Sequence, residues 1–150
     1  MKKGLIACLC IGIIAFIWHN SMQSAAMSDA RSIAVMAFVR KVAVHLGWQH
    51  PAEITNHLVR KGAHVFEYFL LGKGLCLWSY FLAFFRHHRF LFTVALGVII
   101  ASIDEWIQLF SPGRGAQLQD VGIDTMGVIL GYVCMCCIWW IIRKKDSHEI

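Results

Sequence analysis

Five carboxylates stand at the ends of strongly apolar runs: Glu67, Asp104, Glu105, Asp120 and Asp124. The stretch Val-Ala-Leu-Gly-Val-Ile-Ile-Ala precedes Asp104, and Met-Gly-Val-Ile-Leu-Gly-Tyr-Val follows Asp124. Acidic groups in such places are costly unless they face a bundle interior or a watery cavity, so they mark a site by default. The chain has nine Asp and Glu in its 150 residues, and these five are more than half of them. A chain that is 58% hydrophobic and 15% charged is too apolar for an ordinary soluble domain.

Four segments have the length and apolarity of membrane helices: about 4–19, 63–85, 90–110 and 121–142. The fold class expected is therefore all-α, a polytopic membrane helix bundle of about four transmembrane helices. Residues 1–150 form one domain on this reading. The first segment also has the pattern of a cleavable signal peptide, with Ser24-Ala25-Ala26 as a small-residue cleavage site; a retained helix is preferred. Between the first two spans lies a long connection, in which Ser28-Asp29 can cap a helix from Ala30 to Leu46 and Pro51 can open another. Its imperfect amphipathicity suits a helix lying on the outer membrane surface or packed on the bundle.

Short basic connections set the expected orientation. Lys2 and Lys3, Arg86 and Arg89, and Arg143-Lys144-Lys145 share one side when four helices alternate. That side is read as cytoplasmic, with both termini inside and the long connection extracytoplasmic. Arg31, Arg40, Lys41, Arg60, Lys61 and Arg114 fall on the other side, most of them dispersed through the long connection. The net charge of +5 comes with no basic stripe interleaved with aromatics, so lipid headgroups, not nucleic acid, are the expected partner. The six cysteines lie in apolar runs and read as packing residues.

With that topology the polar residues converge at the outer ends of three helices. Arg60, His64, Glu67 and Tyr68 share one helix face, as do Asp104 and Gln108 beside Glu105, and Asp120 and Asp124 with Gly127 and Gly131. The two glycines permit close helix packing below the acids. Ser111-Pro112-Gly113-Arg114-Gly115 is a turn by composition and places Arg114 over the same pocket. Arg60, Lys61 and Arg114 either pair with the acids and pin the helices, or join them in binding a polar ligand. His64 is a proton acceptor near neutral pH or orders the bundle through Glu67 or Asp104. A divalent cation on Asp104, Glu105, Asp120 and Asp124 suits hard oxygen ligands. The three cations nearby neutralise the same acids without one, so no metal and no cofactor is expected. Lys73 falls near the middle of the second span, away from the polar face, with no partner evident in the sequence.

Arg60-Lys61-Gly62-Ala63-His64-Val65-Phe66-Glu67-Tyr68, then Asp104-Glu105-Trp106-Ile107-Gln108 with Phe110, Pro112-Gly113-Arg114 and Asp120-Val121, then Asp124-Thr125-Met126-Gly127, resemble the VanZ-like family. The resemblance covers Asn56 to Gly131 with three ordered motifs. It implies a small multi-pass protein of the bacterial cytoplasmic membrane, with a role at the cell envelope; the family's namesake is associated with teicoplanin resistance. Its positions carry over to Arg60, Lys61, His64, Glu67, Tyr68, Asp104, Glu105, Gln108, Pro112, Gly113, Arg114, Asp120, Asp124 and Gly127. The expected activity is binding of a lipid-linked cell-wall precursor or a glycopeptide at an outward-facing site. The alternative is an intramembrane enzyme acting on a lipid-phosphate or peptide-linked substrate, with His64 or Glu105 as base and Arg114 as anion clamp.

Overall fold

The computed structural model describes residues 2–85 and 87–146. Five α-helices account for most of them: α1 (Lys2–Ser21), α2 (Ala25–His45), α3 (Asn56–Ser79), α4 (Arg89–Gln108) and α5 (Leu118–Asp146). Single 3-10 turns at Pro51–Glu53 and Ala83–Phe85 fill two of the connections. The fold is an all-helical bundle. By length and composition α1, α4 and α5 are apolar enough to cross a membrane.

The second expected span differs. The helix there begins at Asn56, seven residues ahead of the expected start at 63, and ends at Ser79, six short of the expected end at 85. Thr55 sets its start, because its hydroxyl accepts from the Leu58 amide at 3.2 Å. The earlier start adds Arg60 and Lys61 to the helix that already holds His64, Glu67 and Lys73, so α3 does not have the composition of a lipid-facing span. Its place in the bundle explains this: α3 packs against α1, α2, α4 and α5. A helix shielded by its neighbours tolerates polar residues that lipid contact would penalise. Lys73 lies over the Phe69 ring, 5.3 Å from its centroid, a cation–π contact that supplies the partner missing from the sequence reading.

Close approach of α3 and α5 rests on glycines. A Cβ on Gly127 would lie 2.7 Å from the Val65 carbonyl oxygen, and one on Gly131 would collide with the Phe69 carbonyl. Val128, fully buried, wedges against Gly72 of α3 and Gly97 of α4. It joins Ile17, Tyr68, Leu71, Leu75, Ile100 and Ala101 in one core drawn from four helices. The small-residue ridge expected at Gly127 and Gly131 is therefore present, and Gly72 on α3 and Gly97 on α4 make room for Val128.

In the long connection, the helix starts earlier than expected. Ser24, not Ser28-Asp29, caps α2, its hydroxyl accepting from the Met27 amide at 3.4 Å. Asp29 faces α3 instead. Pro51 does occupy the first position of a helical turn, but that turn ends at Glu53. No described residue of α2 is buried, and Val35, Phe38 and Val42 stand exposed. Arg86, counted among the basic residues that set orientation, lies outside the described residues.

The glycine contacts predict opposite signs at two positions of α5. Gly131→Ala should lower the unfolding free energy in detergent by about 1–3 kcal/mol through overpacking. Gly122→Ala, where a Cβ meets nothing within 4 Å, should raise it by about 0.5–1 kcal/mol through reduced backbone entropy. Thermal or denaturant unfolding of the two variants measures both.

Candidate functional site

The end of the bundle where α1 and α4 finish and α3 and α5 begin carries the polar cluster. Asp104 and Glu105 on α4 and Asp124 on α5 are buried, as are Gln108 and Ser111. Gln108 donates to Asp104 and to Glu105, both at 3.1 Å. Glu105 also accepts from the Gln117 backbone amide at 2.6 Å, which ties the turn after α4 to the cluster. On α3, Glu67 accepts from Asn20 of α1 at 3.0 Å.

His64 turns to α5. Its Nδ1 lies 3.7 Å from Asp124 Oδ1. The partners expected from the sequence are Glu67 or Asp104. The cross-helix approach set by Gly127 brings Asp124 nearer, on the facing turn of α5.

The basic residues are occupied elsewhere. Arg60 pairs with Asp29 at 3.2 Å, and Asn56 donates to the same carboxylate. Lys61 pairs with Asp120. Arg114 donates to the Ser21 carbonyl at 3.4 Å and to the Ser28 hydroxyl at 2.8 Å. Burial, followed by the neighbouring Arg60 charge, lowers the Arg114 pKa below its ordinary value. An arginine remains charged under these conditions. Of the eleven residues expected at the site, all fall at this end of the bundle. They divide into an outer tier of ion pairs (Arg60, Lys61, Asp120) and an inner tier (His64, Tyr68, Asp104, Glu105, Gln108, Asp124), with Glu67 and Arg114 between.

Several members have no signal in the sequence motifs. Asn20 and Ser21 arrive from α1, whose Ser21 carbonyl also accepts from Ser111 at 2.7 Å. Ser28 and Asp29 arrive from α2. The polar end of α1, directly after Trp18-His19, was the available signal for Asn20. The α1 helix supplies site residues and the fully buried Ile17, so it is an integral wall of the cluster.

The inner tier is not internally satisfied. Asp104 Oδ1, Asp124 Oδ2, the Tyr68 hydroxyl and the Ser21 hydroxyl are buried and make no hydrogen bond. Ser21 lies beside Asp104 without completing one. Buried polar groups are nearly always bonded, so four orphans in one cluster call for a ligand or solvent.

Two cavities meet here. One, of about 710 Å3, runs between α1, α2 and α3 with Phe16, Val35, Leu58 and Phe66 as walls, and reaches Arg60, His64, Glu67 and Arg114. A second, of about 610 Å3, continues it along α1 and α3 through Leu9, Ile13 and Leu70, sharing Phe16, Ala63, Phe66 and Glu67. A small polar pocket of about 120 Å3 opens between Lys61, Gln108, Arg114 and Asp120, again touching His64.

An apolar helix bundle, three of whose described helices are long and apolar enough to cross a membrane, with a buried acidic cluster at one end, defines a helical membrane protein. The VanZ/LLP1 family model matches residues 5–142, and the chain belongs to that family. Comparison with curated proteins and with solved structures gives no match.

Glu105→Ala should leave the Gln117 amide and a Gln108 donor without their acceptor, costing about 1–3 kcal/mol and accelerating hydrogen exchange at Gln117. Arg114→Ala should cost little by comparison, because Ser111 still donates to the Ser21 carbonyl. Exchange mass spectrometry on both variants separates these outcomes.

Proposed function

We propose that this protein binds an amphiphilic, lipid-linked envelope precursor at the outer face of the bacterial cytoplasmic membrane. The observation that supports this is the continuity of an apolar groove with a mixed-charge end: Phe16, Phe66 and Leu70 line the part suited to a hydrocarbon chain, and Arg60, Arg114, His64 and Glu67 line the part suited to a headgroup. Arginines match the geometry of a phosphate or carboxylate, and the acids accept from sugar hydroxyls or amines. A free glycopeptide would use the polar end but not the chain-shaped groove, so the lipid-linked ligand is the better fit. An effect on teicoplanin susceptibility follows if such a precursor is withheld from, or presented to, the drug.

In this reading the chain is one domain with α1, α3, α4 and α5 crossing the membrane, both termini cytoplasmic, and α2 lying at the outer surface. Exposed Val35, Phe38 and Val42 then contact lipid. The enzymatic alternative keeps His64 as its base candidate, since His64 borders both the large cavity and the small polar pocket. Glu105 is less suited, because two donors already hold its carboxylate.

A polyprenyl phosphate and inorganic phosphate, each titrated into the protein in lipid nanodiscs, test the proposal. The lipid should bind, and phosphate alone should bind at least about tenfold more weakly. Arg114→Ala and the groove-filling Ala63→Trp should each weaken lipid binding by tenfold or more, about 1.4 kcal/mol. Equal binding to both variants would contradict the proposal. Recovery of a chemically altered lipid would favour the enzyme. Labelling of Gly115→Cys by an impermeant thiol reagent from outside intact cells, measured against the unsubstituted chain, tests the orientation.

A further inference from the structure

We propose that His64, Asp104 and Asp124 form a binding site for one divalent cation of the zinc or manganese class. One donor atom from each residue lies within 4.8 Å of the other two. Both aspartates are enclosed, Asp104 at 0% and Asp124 at 1% exposure. Each keeps one carboxylate oxygen with no hydrogen bond. The set comes from three helices, and the glycine-mediated approach of α3 and α5 holds His64 against Asp124.

Charge arithmetic supports a cation. A carboxylate enclosed in an apolar bundle keeps its charge only beside a partner, and buried charges are paired or metal-bound. The nearby fixed cations make no direct ion pair with them: Arg60 is on Asp29, Lys61 on Asp120, and Arg114 on Ser21 and Ser28. His64 approaches Asp124 but carries at most one charge for two acids. A divalent ion balances both at once. The donor set also selects among ions. One imidazole nitrogen with two carboxylates suits zinc or manganese better than calcium, which prefers an all-oxygen shell, or copper(I), which prefers sulfur. Glu105 and Asp120 stand outside the set, held by Gln117 and Lys61.

Three protein ligands leave at least one coordination position open, as in sites that bind water or a ligand oxygen. Of the three ligands, His64 borders both the 710 Å3 cavity and the 120 Å3 polar pocket, so the imidazole is the side from which a ligand would approach. An anionic headgroup would complete the shell there; this last assignment rests on the lipid-linked reading above, whereas the metal site itself does not.

Cobalt(II) alone is the probe, added to purified, chelator-treated protein with no lipid ligand present. The wild-type chain should take up one equivalent, with ligand-field absorption and no thiolate charge-transfer band, and its unfolding midpoint should rise with cobalt concentration. Asp104→Asn, Asp124→Asn and His64→Gln should each weaken uptake by tenfold or more, and Glu53→Gln, outside the ligand set, should not. Less than a tenth of an equivalent in the wild type overturns the proposal without recourse to any variant. So does a thiolate band, which would place the ion on cysteines, or undiminished uptake by variants that remain monodisperse. Loss of polyprenyl phosphate binding with cobalt uptake intact would refute the ligand reading and leave the metal site standing.

Discussion

Enclosing Asp104 and Asp124 in an apolar bundle is the constraint to which the rest of the structure answers. An isolated ionised carboxylate in such surroundings is strongly disfavoured, and removing its partner costs more than the pair contributes. Four helices therefore deliver polar atoms to one end: Asn20 and Ser21 from α1, His64 and Glu67 from α3, Gln108 from α4, and Asp124 itself from α5. The glycines at 127 and 131 make this delivery possible. Without the contacts they allow at the Val65 and Phe69 carbonyls, α5 would stand away from α3 and His64 would lose its neighbour. Packing and electrostatics are thus one arrangement, not two.

The two tiers of the cluster differ in how their polar atoms are paired. Ion pairs in the outer tier join separate segments: Arg60 with Asp29 links α3 to α2, and Lys61 with Asp120 links α3 to α5. Both are partly exposed, so each stabilises weakly, on the order of 0–1 kcal/mol. They also engage Arg60 and Lys61, neither of which forms an ion pair with Asp104 or Asp124. The inner tier is left with unbonded oxygens on Asp104 and Asp124, and its His64 borders two cavities.

Much of the fold was legible in the sequence because apolar length and helical spacing are local properties. The polar faces of Arg60-His64-Glu67-Tyr68 and Asp104-Gln108 are written in the i, i+4 pattern, and their meeting follows from alternating helices. Partner choice was not legible. That Arg60 turns to Asp29 depends on where α2 lies, and α2 lies in a connection with no spacing rule to place it. The start of α3 was also hidden, because its charged first turns lack the apolarity by which spans are recognised, and only the Thr55 cap marks it. Lys73 shows the same limit, its Phe69 partner being one helical turn away yet invisible to a search for an opposite charge.

The central claim is that His64 on α3 and Asp124 on α5 belong to one coupled site. A double-mutant cycle of His64→Gln and Asp124→Asn, read by unfolding of chelator-treated protein, tests it most directly. Coupled neighbours should give an interaction free energy of about 0.5–3 kcal/mol, because either single change already removes the contact. Additivity within about 0.3 kcal/mol would contradict the account, since residues that do not share a partner behave that way.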